Sequence, residues 1–199
     1  MPPGRPRALD LTTAMPVIVG LFWSGGYSQL TLDQVAAELG VTKPTLYRSL
    51  GEKEIIFAAA LEAYHQAYIQ PCEQHWEHTP TLHQALAEGF AVVVERILDS
   101  DLPPGCFMGD TAAGEFPTGQ IAATLESLQG RMASTLHQRV ERAIEEGELE
   151  KATSPAAVVQ FILGQFAALS AVSRTNPTRS DLDAVVGYIL AGLPWTEAR

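Results

Sequence analysis

The sequence predicts an all-α chain, with an N-terminal three-helix helix-turn-helix domain over residues 1–51 and a C-terminal helical domain over residues 52–199. Three observations predict it. Apolar residues recur at spacings of three and four along most of the chain, the period of an amphipathic helix. Cap signals punctuate those stretches: Thr31 three residues before Gln34, Thr81 three before Gln84, and Ser154 before Pro155. Finally, Thr31 to Glu54, TLDQVAAELGVTKPTLYRSLGEKE, places two short helices around a tight glycine turn.

In chain order, MPPGRPR reads either as an arm of the kind that inserts arginine into a narrow minor groove or as an untethered tail. Helix one is expected from about Ala8 to Ser24, kinked or restarted at Pro16 and ended by Gly25-Gly26. The next helix is capped by Thr31 and turns Leu32, Val35, Ala36 and Leu39 to one side. Gly40 supplies a left-handed terminus and Val41 an apolar anchor. Thr42 caps the following helix, with Pro44 in its first turn, where a missing N–H costs nothing. Leu46 and Leu50 point inward, leaving Lys43, Thr45, Tyr47 and Arg48 to solvent. Arginine can fork onto guanine N7 and O6, whereas Lys, Thr and Tyr mostly hold phosphates or sugars. Lys53 adds a phosphate contact.

Beyond it, a long helix is expected from Glu52 to Trp76 and another from Thr81 to Asp99, before a break at Pro103-Pro104-Gly105. A short helix over Cys106–Ala113 precedes a long one through Ile121, Leu128, Met132, Leu136 and Ile144, ended by Gly147. The stretch AAVVQFILGQFAALSAV is apolar on nearly every side, and such a helix must be covered on all sides. A final helix begins near Pro177 or Asp181. One subunit covers one face, so a two-fold partner is expected to cover the other. Phe161, Ile162, Phe166, Leu169, Leu182, Val186, Ile189 and Leu190 are the expected interface.

Composition fits a folded chain: 46% apolar, 18% charged, net charge −10. The charge is divided unevenly. Residues 1–60 hold five basic and five acidic side chains, so residues 61–199 carry the whole deficit. Such asymmetry points to nucleic-acid contact by the less acidic part. No apolar run is expected to span a membrane. Arg5, Arg7 and the apolar stretch after them imitate a signal peptide, but Asp10 and two threonines interrupt it and no cleavage site follows. Two cysteines make no disulfide framework, so a cytoplasmic location is expected.

Gly26-Tyr27, Thr31, Val35-Ala36, Gly40-Val41-Thr42-Lys43, Thr45-Leu46-Tyr47 and Lys53-Glu54, with Leu21-Phe22 before them, resemble the DNA-binding signature of the TetR/AcrR family of bacterial regulators. Leu50 and Glu52 depart from it, where an aromatic and a small cap residue are usual. The resemblance implies a homodimer on a double-stranded, palindromic operator and a C-terminal domain for ligand binding and dimerisation. It also implies a repressor released by a small-molecule inducer. Thr31, Thr42, Lys43, Pro44, Thr45, Tyr47, Arg48 and Lys53 are then the expected DNA contacts.

A hydrophobic inducer is expected against Tyr64, Tyr68, Phe90, Val94, Phe107, Met108, Phe116, Leu128, Met132 and Phe161, with Cys106, His137 or Gln165 as polar anchors. Cys72, His75 and His78, one helical turn apart, raise an alternative metal-responsive reading, and Cys106 a redox-responsive one. An activator on the same scaffold is a further alternative. No phosphate loop, nucleophile elbow or HExxH pair is present, so neither an enzyme nor a cofactor is expected.

Overall fold

A computed structural model describes residues 9–112, 114 and 118–196, and no β-strand occurs among them. The chain divides into two compact units, Met1–Tyr64 with Phe107–Leu125, and His65–Cys106 with Glu126–Arg199. This boundary differs from the expected one at residue 51. Phe57, Tyr64 and Phe107 meet edge to face, at 5.1 and 5.7 Å between centroids, and draw both later segments into the first unit.

In the first unit, α1 (Leu11–Gln29) starts two residues or more later than expected, because Asp10 caps it by accepting from the Thr12 N–H. The backbone angles stay helical through Pro16, so the helix does not restart there; the kink is at Gly26 (φ 70°), within the Gly25-Gly26 pair expected to end the helix. Thr12, whose carbonyl loses its partner to Pro16, is exposed, so water can take the bond. α2 (Leu32–Glu38) carries the full capping box, with Thr31 and Gln34 exchanging side chain for backbone. Its end is a Schellman turn. Val41 N–H bonds back to Ala36 C=O and Gly40 N–H to Ala37 C=O, with Gly40 at φ 65°. α3 (Lys43–Leu50) and α4 (Lys53–Tyr64) follow. The core joins Ile18, Phe22, Val35, Leu46 and Phe57, with Phe22 and Tyr27 both edge-on to Phe57. The expected short helix is a π-helical turn, Phe107–Ala112, and Ala113 lies outside the described residues.

In the second unit the expected continuous helix to Trp76 is broken. A π-helical turn, His65–Ile69, precedes α5 (Gln70–His78). Pro71 is the cause: it has no N–H, and its ring would strike the carbonyl of Ala67 in an unbroken α-helix. Widening the preceding turn removes the conflict. Thr81 caps α6 (Leu82–Leu98), but the expected capping box is only half made, because Gln84 turns its amide to Glu88 instead. α7 (Gly119–Glu145) runs from the first unit into the second. α8 (Pro155–Val172) and α9 (Arg179–Ala191) complete the unit, the latter with a Thr178–Asp181 capping box. Buried Arg139 donates to Glu148 at 2.7 Å, and Glu148 accepts from the Leu82 N–H, tying α7 to the start of α6. The core gathers Trp76, Leu86, Phe90, Leu136, Val159, Ile162, Leu169 and Leu182.

One composition-based expectation needs correcting. The segment Pro155–Thr175 is long and apolar enough, by length and composition, to cross a membrane, with mean hydropathy 1.7. Only 33% of that window is buried. Its exposed side is dominated by small residues, Ala157, Gly164, Ala168 and Ala171, flanked by Phe161 and Val172.

Removing the ring that organises the first core should be costly. Phe57→Ala should lower unfolding free energy by about 3–5 kcal/mol, measured by urea titration followed by circular dichroism.

Candidate nucleic-acid interface

The interface is built on α3. Leu46 is fully buried and anchors the helix, while Thr42, Lys43, Pro44, Tyr47, Arg48 and Ser49 are exposed. Thr42 caps the helix through the Thr45 N–H, and the two threonine hydroxyls lie 3.0 Å apart. Four expected contacts, Lys43, Pro44, Tyr47 and Arg48, thus share a solvent-facing side, with Thr45 half-buried at its edge. Leu50 is half-buried rather than in the core.

The cations are not loose. Arg48 folds back along its own helix, its Nε donating to the Pro44 carbonyl at 3.2 Å and a terminal nitrogen to the Thr45 hydroxyl at 3.4 Å. Lys43 pairs with Asp33 of α2 at 2.8 Å, and the hydrogen bond to that carboxylate raises the ammonium pKa above its usual value. Lys53 sits 4.5 Å over the Tyr27 ring, a cation–π placement at the start of α4. Asp33 and Tyr27 were not foreseen as partners. Both are set by helix packing rather than by neighbours in sequence. Thr31 spends its hydroxyl on the α2 cap, yet remains exposed. The N-terminal arm lies outside the described residues.

The expected inducer residues do not gather. Tyr64, Phe107 and Met108 are buried in the first unit, the two rings within its aromatic core. Phe90 and Val94 are buried in the second, where Phe90 stacks on Phe166 at 4.2 Å. Leu128 is buried and Met132 packs against the second core; Tyr68, Cys106, His137 and Gln165 are half-buried. His137 faces Glu141 at 3.3 Å. Phe161 is exposed, and Phe116 lies outside the described residues. Aromatic residues at helical spacing here are packing. Instead, a cavity of about 430 Å³ in the second unit is lined by His65, Gln66, Gln70, Glu73, Arg131, Ser134 and Thr135. Sequence reasoning missed all seven. The available signal was polar residues at i, i+3 and i+4 on an otherwise core-facing helix (Arg131, Ser134, Thr135).

The expected interface also needs revision. Ile162, Leu169 and Leu182 face their own core, Ile189 and Leu190 are buried, and Phe166 and Val186 are half-buried. The apolar groups left outside are Phe161, Val172, Val185 and Tyr188, the last 78% exposed. A helix apolar all round gives no phase from which to tell the home side from the outer one.

Cys72, His75 and His78 do not converge. The Cys72 thiol donates to the Gly89 carbonyl, His75 faces Glu88 at 2.8 Å, and His78 lies 2.9 Å from the Gln74 carbonyl. Among the described residues no group of three or more His, Cys, Asp or Glu could hold a metal ion. Burial pushes the Cys72 thiol up to about 12.

A short helix presenting Arg, Lys, Tyr and Thr beyond a glycine turn defines the class: a helix-turn-helix transcriptional regulator. Comparison narrows it. Residues 17–60 match the model for bacterial regulatory proteins of the tetR family, and residues 83–187 that for the tetracyclin repressor-like C-terminal domain. The chain belongs to the TetR family. It is 28% identical over 189 residues to the HTH-type transcriptional repressor ComR of Escherichia coli (strain K12), covering 94% of this chain and 90% of that one. The uncharacterized HTH-type transcriptional regulator YezE of Bacillus subtilis (strain 168) is 19% identical over 188 residues, covering 94% and 95%. Among solved structures, a cysteine mutant of the TetR family regulator CifR, complexed with 26-base-pair operator DNA, is similar at TM-score 0.84 and 26% identity. That match covers 96% of this chain and 100% of the other.

The Cys72 environment makes a chemical expectation. With its pKa near 12, the thiol should resist alkylation by iodoacetamide at pH 8 in the folded protein and react only after denaturation, read by peptide mass spectrometry.

Proposed function

We propose that this TetR-family regulator is a homodimeric repressor that binds a palindromic operator and releases it when a small molecule occupies the second unit. The observation that carries the reading is the solvent-facing side of α3, with Lys43, Tyr47 and Arg48 around an anchored Leu46. The repressor name of the Escherichia coli relative and the operator DNA in the CifR complex support it.

Division of labour follows from chemistry. Arg48 reads a base edge, since a guanidinium fork matches guanine. Lys43 and Lys53 hold phosphates, and the Tyr47 and Thr45 hydroxyls help set register. Thr31 and Thr42 hold the two helices at their N-terminal caps. Dimerisation follows from the exposed apolar side of α8 and α9, where Phe161 lies beside Gly192 and Tyr188 stands clear. A two-fold partner presenting the same side would cover it, and two recognition helices would then meet two half-sites.

Metal sensing at Cys72, His75 and His78 has no converging ligand set to support it, and the redox alternative rests on Cys106, a half-buried cysteine thiol.

Size-exclusion chromatography with light scattering should give about twice the 21.5 kDa chain mass, and Tyr188→Asp should shift it toward one chain and weaken operator binding together. A wild-type protein that runs as a single chain would sink the dimer. In gel-shift titrations, Arg48→Ala should cost about 1–3 kcal/mol and relax preference at one base pair per half-site. Lys53→Ala should weaken all sequences alike and flatten the salt dependence. Identical behaviour of the two variants would refute the assigned roles.

A further inference from the structure

Two polar helix faces confront each other in the second unit. On one side, the π-turn and the first turn of α5 present His65, Gln66, Gln70 and Glu73; on the other, α7 presents Arg131, Ser134 and Thr135. Between them is the cavity of about 430 Å³. Two of these groups are committed. His65, 5% exposed, lies 3.1 Å through Nε2 from Glu73, and the two share a hydrogen bond. The rest are not. Among the described residues, the side chains of Gln66, Gln70, Arg131, Ser134 and Thr135 make no hydrogen bond or ion pair.

Helices within a folded unit ordinarily meet through apolar side chains, whereas here Gln66, Gln70, Arg131 and Ser134 are exposed to solvent and Thr135 is half-buried. A cleft that keeps one uncommitted guanidinium, two hydroxyls and two amides fits a polar occupant. Glu73 shares a hydrogen bond with His65, and the cation of the lining is the Arg131 guanidinium, which pairs with no group among the described residues. Its planar fork suits a carboxylate with two parallel N–H···O bonds. Ser134 and Thr135, three and four residues on, lie on the same helix face and suit hydroxyl or amide substituents beside that carboxylate.

We propose that this cleft is a binding site for small hydroxylated carboxylates, in place of the hydrophobic ligand that composition suggests. Its role as the effector site rests on the repressor reading above. The chain passes between the two units at Tyr64–His65, Cys106–Phe107 and Leu125–Glu126. Two of those crossings are helical, and the cleft is lined by residues beyond both: His65 to Glu73 directly after the first, and Arg131 to Thr135, starting six residues past Leu125, after the second. An occupant drawing these segments together would bias the very helices that continue into the DNA-binding unit. Such a bias requires the ligand to prefer one arrangement over the other.

Calorimetry and thermal-shift titration on the full chain, with malate and gluconate as probes and malamide and sorbitol as their neutral counterparts, test this. The expected result is binding by the carboxylates at least about tenfold tighter than by the neutral compounds, a difference lost in Arg131→Gln and reduced in Thr135→Val. Arg131 is exposed, so its variant should keep the wild-type circular dichroism spectrum. No preference for the carboxylates, or a preference that survives Arg131→Gln, overturns the site. A gel shift on the operator in the same buffers separates the two readings. Carboxylate binding without change in the gel shift keeps the site and removes its effector role. Carboxylate binding by a chain that never shifts DNA keeps the site and removes the repressor.

Discussion

A proline in the middle of a helix sets much of what is distinctive in this chain. Pro71 cannot donate to the carbonyl four residues back, and its ring cannot pass that carbonyl in an α-helix. The chain answers with a π-turn over His65–Ile69, which admits an extra residue before the helix resumes. An extra residue rotates everything after it relative to everything before. His65 and Glu73 are thereby brought to 3.1 Å, although eight residues apart, and Gln66 and Gln70 join them on one side of a cavity. In an unbroken α-helix Gln66, Gln70 and Glu73 would still share a face, but His65 would lie about 100° away from Gln66 around the axis.

In the first unit the governing constraint is local capping. The Thr31–Gln34 box fixes the start of α2, and the Schellman turn at Gly40 and the Thr42 cap fix the two ends of the turn between α2 and α3, through local hydrogen bonds of backbone and cap side chains. Leu46 then needs only to be buried for the outer side of α3 to be presented. The cations on that side are held in readiness by weak contacts. The Lys43–Asp33 pair and the Arg48 back-bonds are exposed, where water competes for the same groups and such contacts are weak. A phosphate or a base edge can displace them at small cost. Holding the side chains near one geometry also reduces the rotamer freedom lost on binding.

This contrast explains what could be read from the sequence. The helix-turn-helix was legible because each of its signals is a residue type at a fixed offset: a threonine cap, a glycine at positive φ, a proline in the first turn. The start of α1 was not, since it depends on whether Asp10 wins as a cap, nor was the helical backbone through Pro16, since it depends on the Thr12 carbonyl being open to water. The break before Pro71 was within reach, because the residue's chemistry alone forbids the continuous helix to Trp76. The inducer residues failed for another reason. Hydropathy cannot separate an aromatic that lines a space from one that fills it, and the edge-to-face contacts of Tyr64 with Phe107 and Trp23 fill it. The polar cleft was hidden because its two sides are more than fifty residues apart.

The last helices show how far an all-round apolar pattern carries. It states that α8 must be covered, not by what. Its inner side meets that demand through Val159, Ile162 and Leu169, packed with α6 and α9. Its outer side offers alanines and a glycine between Phe161 and Val172, so another backbone could approach closely with two larger side chains as anchors. A lipid phase would also accept that surface on composition alone. The remainder of the unit argues against it: α9 lies beside α8 and carries exposed Asp181 and Asp183, while Arg179 forms a two-pronged ion pair with Glu95 on α6. Burying those charges in hydrocarbon would cost far more than covering Phe161 and Tyr188 would return. A protein surface apolar at its centre and charged at its rim satisfies both sets of groups, which is what a second copy of α8 and α9 would provide.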